Sequence, residues 1–136
     1  MSFSIKAPAK LNLRLKITGR RQDGFHLLSM LNVPIDLFDM LKLEFSEEEG
    51  PFFVISPLST VSLSDLQDNR ENIAYKAAKL FLSEFPMPLY PKLSLEKHIP
   101  FGAGLGGGSS DAAAVLRLFA KAWKALNPSS EAISLE

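Results

Sequence analysis

The sequence is compatible with a single α+β domain, on three observations. Strand-period alternation fills the first half of the chain, two helix-period segments fill most of the second, and a cluster of glycines separates the last strand pattern from the last long helix. A chain of 136 residues buries roughly 68% of the surface its unfolded form exposes, enough for one core and too little for two. Hydrophobic residues at 46% and charged ones at 22% match folded globular domains and exclude the composition of disorder.

Leu11, Leu13, Leu15 and Ile17 alternate with Asn12, Arg14, Lys16 and Thr18, which predicts a half-buried strand. The same period puts Lys10 on the polar face with Asn12, about 7 Å away, so two polar side chains point one way. Residues 2–7 predict a shorter strand ended by Pro8, and residues 19–24 a polar turn. Residues 27–33 and 40–46 read as two further strands. The acidic run Glu47, Glu48, Glu49 is a solvated loop before a strand over 52–56, and a meander is the simplest arrangement.

Asp68 and Glu71 stand at capping-box spacing ahead of Ile73, Ala77, Leu80, Phe81 and Phe85, the stripe of a helix that Pro86 ends. Residues 93–99 predict another strand, closed by Pro100. A second helix runs from about Ser109 to Leu126, with Ala112 or Ala113, Leu116, Phe119, Ala120 and Trp123 as its stripe and the two aromatics in the core. Ser129, Ser130, Glu131 and Ala132 open like a third helix a few residues before the last one, which reads as a chain cut short.

Fifteen Lys and Arg balance fifteen Asp and Glu, and the isoelectric point is about 6.7. Such a chain has no global attraction to polyanions, so nonspecific binding to nucleic acid or to a membrane surface is not expected. The charge is uneven, however: residues 1–26 carry six basic side chains and one acid, residues 27–71 two and nine, and residues 72–136 seven and five. A basic first segment suits a local anionic ligand or a solvated strand face. The absence of cysteine excludes a disulfide framework, a thiolate zinc site and a cysteine nucleophile, and makes the cytoplasm the expected location. No apolar run approaches the roughly 18 residues that span a bilayer, and no signal-peptide core is visible.

The chemistry is concentrated in Pro100-Phe101-Gly102-Ala103-Gly104-Leu105-Gly106-Gly107-Gly108-Ser109-Ser110-Asp111, which holds five of the eight glycines. Between a strand and a helix N-terminus, such a loop lets backbone amides converge on an anion, and the helix end adds unsatisfied N–H groups. Ser109 and Ser110 offer hydroxyls to phosphate oxygens or a cation, while Asp111 suits a helix cap. No Lys follows the glycines, so the Walker A pattern fails. A literal GxGxxG at residues 102–107 keeps a dinucleotide-dependent oxidoreductase open, although Asn127 and Pro128 stand where its ribose-binding acid belongs. A non-catalytic anion- or nucleotide-binding module is the third reading.

Residues 100–113 resemble the phosphate loop of the GHMP kinase superfamily. The opening Ala7-Pro8-Ala9-Lys10-Leu11-Asn12-Leu13 and the segment Gly19-Arg20-Arg21-Gln22-Asp23-Gly24-Phe25-His26 resemble its 4-diphosphocytidyl-2-C-methyl-D-erythritol kinase branch. Glu71-Asn72-Ile73 resembles the adenine-side segment, and Lys97 stands where the family has a basic residue before the loop.

The resemblance implies an α+β fold like ribosomal protein S5 domain 2, and ATP-dependent phosphorylation of the substrate's 2-hydroxyl with Mg²⁺. It implies a catalytic role for Lys10, substrate contacts from Asn12, Phe25 and His26, and nucleotide contacts from Asn72, Ile73, Lys97 and residues 100–110. Phe25 departs from the family's tyrosine. The family's catalytic aspartate, in a Gly-Ala-Asp-Val-Pro-like segment beyond the loop, has no counterpart in these residues, and neither has its C-terminal domain. An incomplete kinase, inactive alone, is the expectation.

Overall fold

A computed structural model of the chain describes residues 1–62 and 69–128. Strand β1 (Ser2–Arg20) and strand β2 (His26–Ser46) form a long hairpin, followed by β3 (Phe53–Ile55), α1 (Ile73–Glu84), β4 (Tyr90–Glu96) and α2 (Gly107–Leu126). The sheet order is β1-β2-β4-β3, with β1–β2 and β2–β4 antiparallel and β3–β4 parallel. The meander expectation is therefore corrected. The return through α1 lets β4, with Leu93 and Leu95 fully buried, take the interior place and leaves the three-residue β3 at the edge.

The expected break at Pro8 is absent. β1 is an edge strand, where a missing N–H is tolerated, and the ladder absorbs the proline by shifting register between Pro8 and Lys10. The two strands expected over 27–33 and 40–46 are one.

Three cross-sheet rows explain where the core sits. Phe3, Leu43, Leu93 and Phe53 share one row, and Ile5, Leu41, Leu95 and Ile55 the next. The period of two then brings Ala7, Asp39 and Lys97 to the third, so the apolar face ends in an acid and a base. Both helices cover this face through Ala74, Ala78 and Phe81 of α1 and Val115, Leu118, Phe119 and Ala122 of α2.

The helix stripes differ from the expected ones by about one position. Ile73 and Leu80 are exposed, and the buried residues of α2 start at Gly107 and Asp111 instead of Ala112. Phe119 is in the core and Trp123 packs against it. The cap of α1 is Asn72, whose Oδ1 accepts from the Ala74 N–H at 2.9 Å. The expected cap Asp68, and the helix start at 129–132, lie outside the described residues.

β4 pairs with β2 only over residues 40–46, so among the described residues the outer hairpin is a two-stranded ribbon without a covering layer. Leu13 is 63% and Ile17 60% exposed. The alternation at residues 11–18 marks a strand correctly, but the expected burial of one face is not found. Leu15 opposes Met30 and Ile17 opposes Leu28, which sets four apolar side chains on one open face.

Candidate active site

The glycine loop and the third row of the sheet meet at the N-terminus of α2. Gly106 occupies the N-cap position with φ 71°, a left-handed conformation that L side chains rarely adopt. A Cβ on Gly107 would lie 2.7 Å from Ile99 Cγ2, so only glycine lets the helix start this close to the chain that follows β4. The first intrahelical bond runs from Ser110 N–H to Gly106 C=O at 3.0 Å, and the preceding N–H groups of the turn have no partner within the helix. A cavity of about 310 Å³ opens beside the loop, lined by residues 100–109 together with Ile73 and Lys97.

Strand β1 is tied to this loop. The Lys10 N–H donates to Leu105 C=O at 2.9 Å, and the Lys10 stem lies where a Cβ on Gly106 would meet Cε at 3.0 Å. Lys10 Nζ donates to Asn12 Oδ1 at 2.8 Å, the juxtaposition expected from their shared strand face.

The third row places a buried ion cluster under the loop. Lys97 is 1% exposed and its ammonium bonds Asp39 Oδ2 and, at 2.9 Å, Asp111 Oδ2. It also lies 5.2 Å from the centre of the Phe101 ring. Asp39 Oδ1 accepts from the His98 and Ile99 N–H groups at 2.5 and 2.8 Å, whereas Asp111 Oδ1 is buried without a hydrogen-bond partner among the described residues. Burial lifts the Asp111 carboxyl to about 7 against the pull of Lys97, and the nearby Asp39 carboxylate pushes the same way as burial. Asp111 does not cap the helix: Gly106 holds the N-cap position without a side-chain cap, and the carboxyl turns inward to Lys97 instead.

The structure thus brings together Lys10, Asn12, Ile73, Lys97 and the loop. Asn72 spends its amide oxygen on capping α1, and Ser110 lies just beyond the cavity lining. Lys97 reaches the cavity while anchored to two carboxylates. Phe25 and His26 are not brought to Lys10. They sit at the ribbon tip, where His26 opposes Arg20 and Phe25 is 72% exposed. A straight strand would carry that tip roughly 33 Å from Lys10, and the ladder between them has register shifts, the kind of irregularity at which strands bend.

Asp39 was missed in the sequence. Its signal is a carboxylate in phase with Leu41 and Leu43, on a face that is otherwise apolar. Among the described residues no group of three or more acidic or histidine side chains could hold a metal ion, and no helix is long and apolar enough to cross a membrane.

A glycine-lined loop at a helix N-terminus, with a lysine tied to it from the first strand, defines an α+β domain with a candidate anion site. The antiparallel β1–β2 and β2–β4 pairs exclude the parallel sheet that a dinucleotide-binding oxidoreductase needs, which removes that alternative.

Comparison with known proteins gives the family. Residues 72–135 match the GHMP kinases N terminal domain. The chain is 44% identical over 129 residues to a 4-diphosphocytidyl-2-C-methyl-D-erythritol kinase of Chlorobaculum tepidum, covering 95% of this chain and 42% of that protein. It superposes on a crystal structure of 4-(cytidine 5'-diphospho)-2C-methyl-D-erythritol kinase with a TM-score of 0.69 at 40% identity, again over 95% of this chain and 42% of the other. Mevalonate kinase of Methanococcus jannaschii shares the fold, with a TM-score of 0.63 at 15% identity over 90% of this chain and 41% of its own. The chain belongs to the GHMP kinase family. It spans about two-fifths of the length of the relatives it matches, 42% in the first of them.

Proposed function

We propose that this chain supplies the nucleotide-binding part of an ATP-dependent kinase that phosphorylates the 2-hydroxyl of 4-diphosphocytidyl-2-C-methyl-D-erythritol, a step of non-mevalonate isoprenoid synthesis in the cytoplasm. The observation that carries the reading is the bond between Lys10 N–H and Leu105 C=O, which joins two distant motifs at one anion site. The names of the relatives at 40–44% identity support the choice of substrate.

Phosphoryl transfer asks a protein for positioning and for charge neutralisation more than for covalent chemistry. ATP, when bound, supplies the phosphoryl group. The amides of residues 106–109 cradle its phosphates, the Ser109 hydroxyl adds a donor, and Ile73 offers an apolar surface on the cavity wall. Lys10 places its ammonium at the loop, held by Asn12, where negative charge grows during transfer. Mg²⁺ needs no all-protein cage for this work, since it is commonly bound through one or two carboxylates and the phosphates themselves. The family's catalytic aspartate, in a Gly-Ala-Asp-Val-Pro-like segment, has no counterpart among these 136 residues.

The test is an assay of the complete gene product with ATP, Mg²⁺ and the cytidylyl alcohol, beside residues 1–136 alone. Phosphate transfer by the complete protein and nucleotide binding without turnover by the shorter chain are expected. Nucleotide binding with no transfer by either would establish a binding module in place of a kinase.

A further inference from the structure

The polar end of the core is more than a structural ion pair, because its three members do not balance. One ammonium faces two carboxylates, all three at most 2% exposed. With both acids ionised, the cluster carries a net negative charge directly beneath a loop built to receive an anion. A Cβ on Gly107 would lie 3.0 Å from Lys97 Nζ, so a single layer of backbone separates the cluster from the cavity that Lys97 itself helps to line.

We propose that Asp111 is a positioning residue that acts through Lys97: it takes up a proton when an anion fills the loop, and so frees the Lys97 charge to face that anion. The inference rests on the phosphate-binding reading of the loop. The asymmetry of the two acids decides which one carries the proton. Asp39 is committed as an acceptor to Lys97 and to two backbone N–H groups, and protonating it would set a donor against donors. Among the described residues one oxygen of Asp111 has no partner, and a proton there removes a buried charge that Lys97, shared with Asp39, offsets only in part.

Among the described residues, only Lys97 and Asp39 place a charge on Asp111. α1 turns Ala74, Ala78 and Phe81 inward, β1 sends the Lys10 stem to Gly106, and the next charged residue of α2, Arg117, is exposed. The carboxyl position near neutrality fits this balance, because phosphates arriving over Lys97 raise the cost of a second negative charge below it.

The experiment is calorimetric titration of ATP into the chain at pH 7, for the wild type and Asp111→Asn, in two buffers of different ionisation enthalpy. The wild type is expected to take up as much as about half a proton more per bound ATP than the variant, and the protons of the nucleotide cancel in that difference. Equal uptake with ATP bound by both proteins overturns the proposal and leaves the phosphate-binding reading intact. No ATP binding by the wild type overturns both. Should the variant fail to fold, carboxyl-carbon NMR of the wild type decides: Asp111 must titrate near pH 7 in the free chain and at higher pH with ATP, and a midpoint that ATP leaves unmoved overturns the proposal.

Discussion

The Lys10 N–H donates to the Leu105 carbonyl at 2.9 Å, and this bond turns two stretches at opposite ends of the sequence into one site. Its geometry depends on the irregular ladder nearby. The register shift between Pro8 and Lys10 interrupts the pairing of β1 with β2 just where the backbone turns its donor to the loop. The proline in this edge strand thus has a placement role as well as a tolerated one.

Lys10→Ala in the complete enzyme is expected to lower kcat by about a hundredfold, on the order of 3 kcal/mol of transition-state stabilisation, with a much smaller change in KM for ATP. The main-chain bond to Leu105 survives the substitution, so the loop keeps its anchor. Steady-state kinetics on a variant of unchanged melting temperature check this. Near-normal kcat would make Lys10 a solvated strand residue.

The two loop glycines are expected to separate under substitution to alanine. At Gly107 the new Cβ meets Ile99 Cγ2 at 2.7 Å inside the core, so Gly107→Ala should lose stability by roughly 1–3 kcal/mol from overpacking. At Gly106 the nearest atoms belong to the Lys10 side chain, which can move, and the cost is chiefly that of a left-handed φ, about 1–2 kcal/mol. Gly106→Ala should therefore weaken nucleotide binding through a displaced lysine. Chemical denaturation and calorimetry of both variants give the comparison. Unchanged ATP affinity in Gly106→Ala would count against the loop as a phosphate cradle.

Asp111 gives stability a defined dependence on pH. Its folded-state carboxyl holds a proton up to about pH 7, whereas the unfolded one releases it near 3.8. Between those limits the folded chain binds more protons, so the contribution is complete below about 3.8 and is lost as pH rises through about 7. Asp111→Asn, which mimics the protonated group, should flatten that slope and gain relative stability between pH 5 and pH 8, with a ceiling on the order of 4 kcal/mol. Urea midpoints at the two pH values test it. A wild type and variant that change in parallel would show that Asp111 ionises normally.

Much of this was legible in the sequence because the signals are local. Alternation at 11–18, the glycines at 102–108 and the apolar spacing after Asn72 report backbone conformation, and each found its element. What escaped depends on tertiary pairing. The period of Leu11 to Ile17 specifies a strand but not a neighbour, and only the short reach of β4 leaves that face open. Lys97 reads as a nucleotide contact by position, yet Asp39 and Asp111, from two other elements, draw it inward. Phase within a helix is similarly underdetermined: Ile73 and Ala74 are adjacent and both apolar, and the nearby glycine loop decides that Ile73 faces Gly108 while Ala74 enters the core.

Substrate choice is expected to depend on the tip of the ribbon. Phe25 is 72% exposed and His26 is exposed beside it, so neither is held in the core, and the structural alternative of a packed Phe25 is removed. An exposed ring can stack on a nucleobase for roughly 1–3 kcal/mol, but stacking tolerates any base. Discrimination requires polar groups, and a neutral imidazole offers one donor and one acceptor to the edge of cytosine. Because the side chain has no core contacts to lose, His26→Ala should leave the melting temperature unchanged. In the complete enzyme it should raise KM for the cytidylyl alcohol by about tenfold, the worth of one or two hydrogen bonds, and spare KM for ATP. The same experiment tests the curl of the ribbon, since the tip reaches a substrate held at Lys10 only if the bulged strands bend it there. An unchanged KM for the alcohol would mean that the ribbon stays extended and that cytosine is read elsewhere.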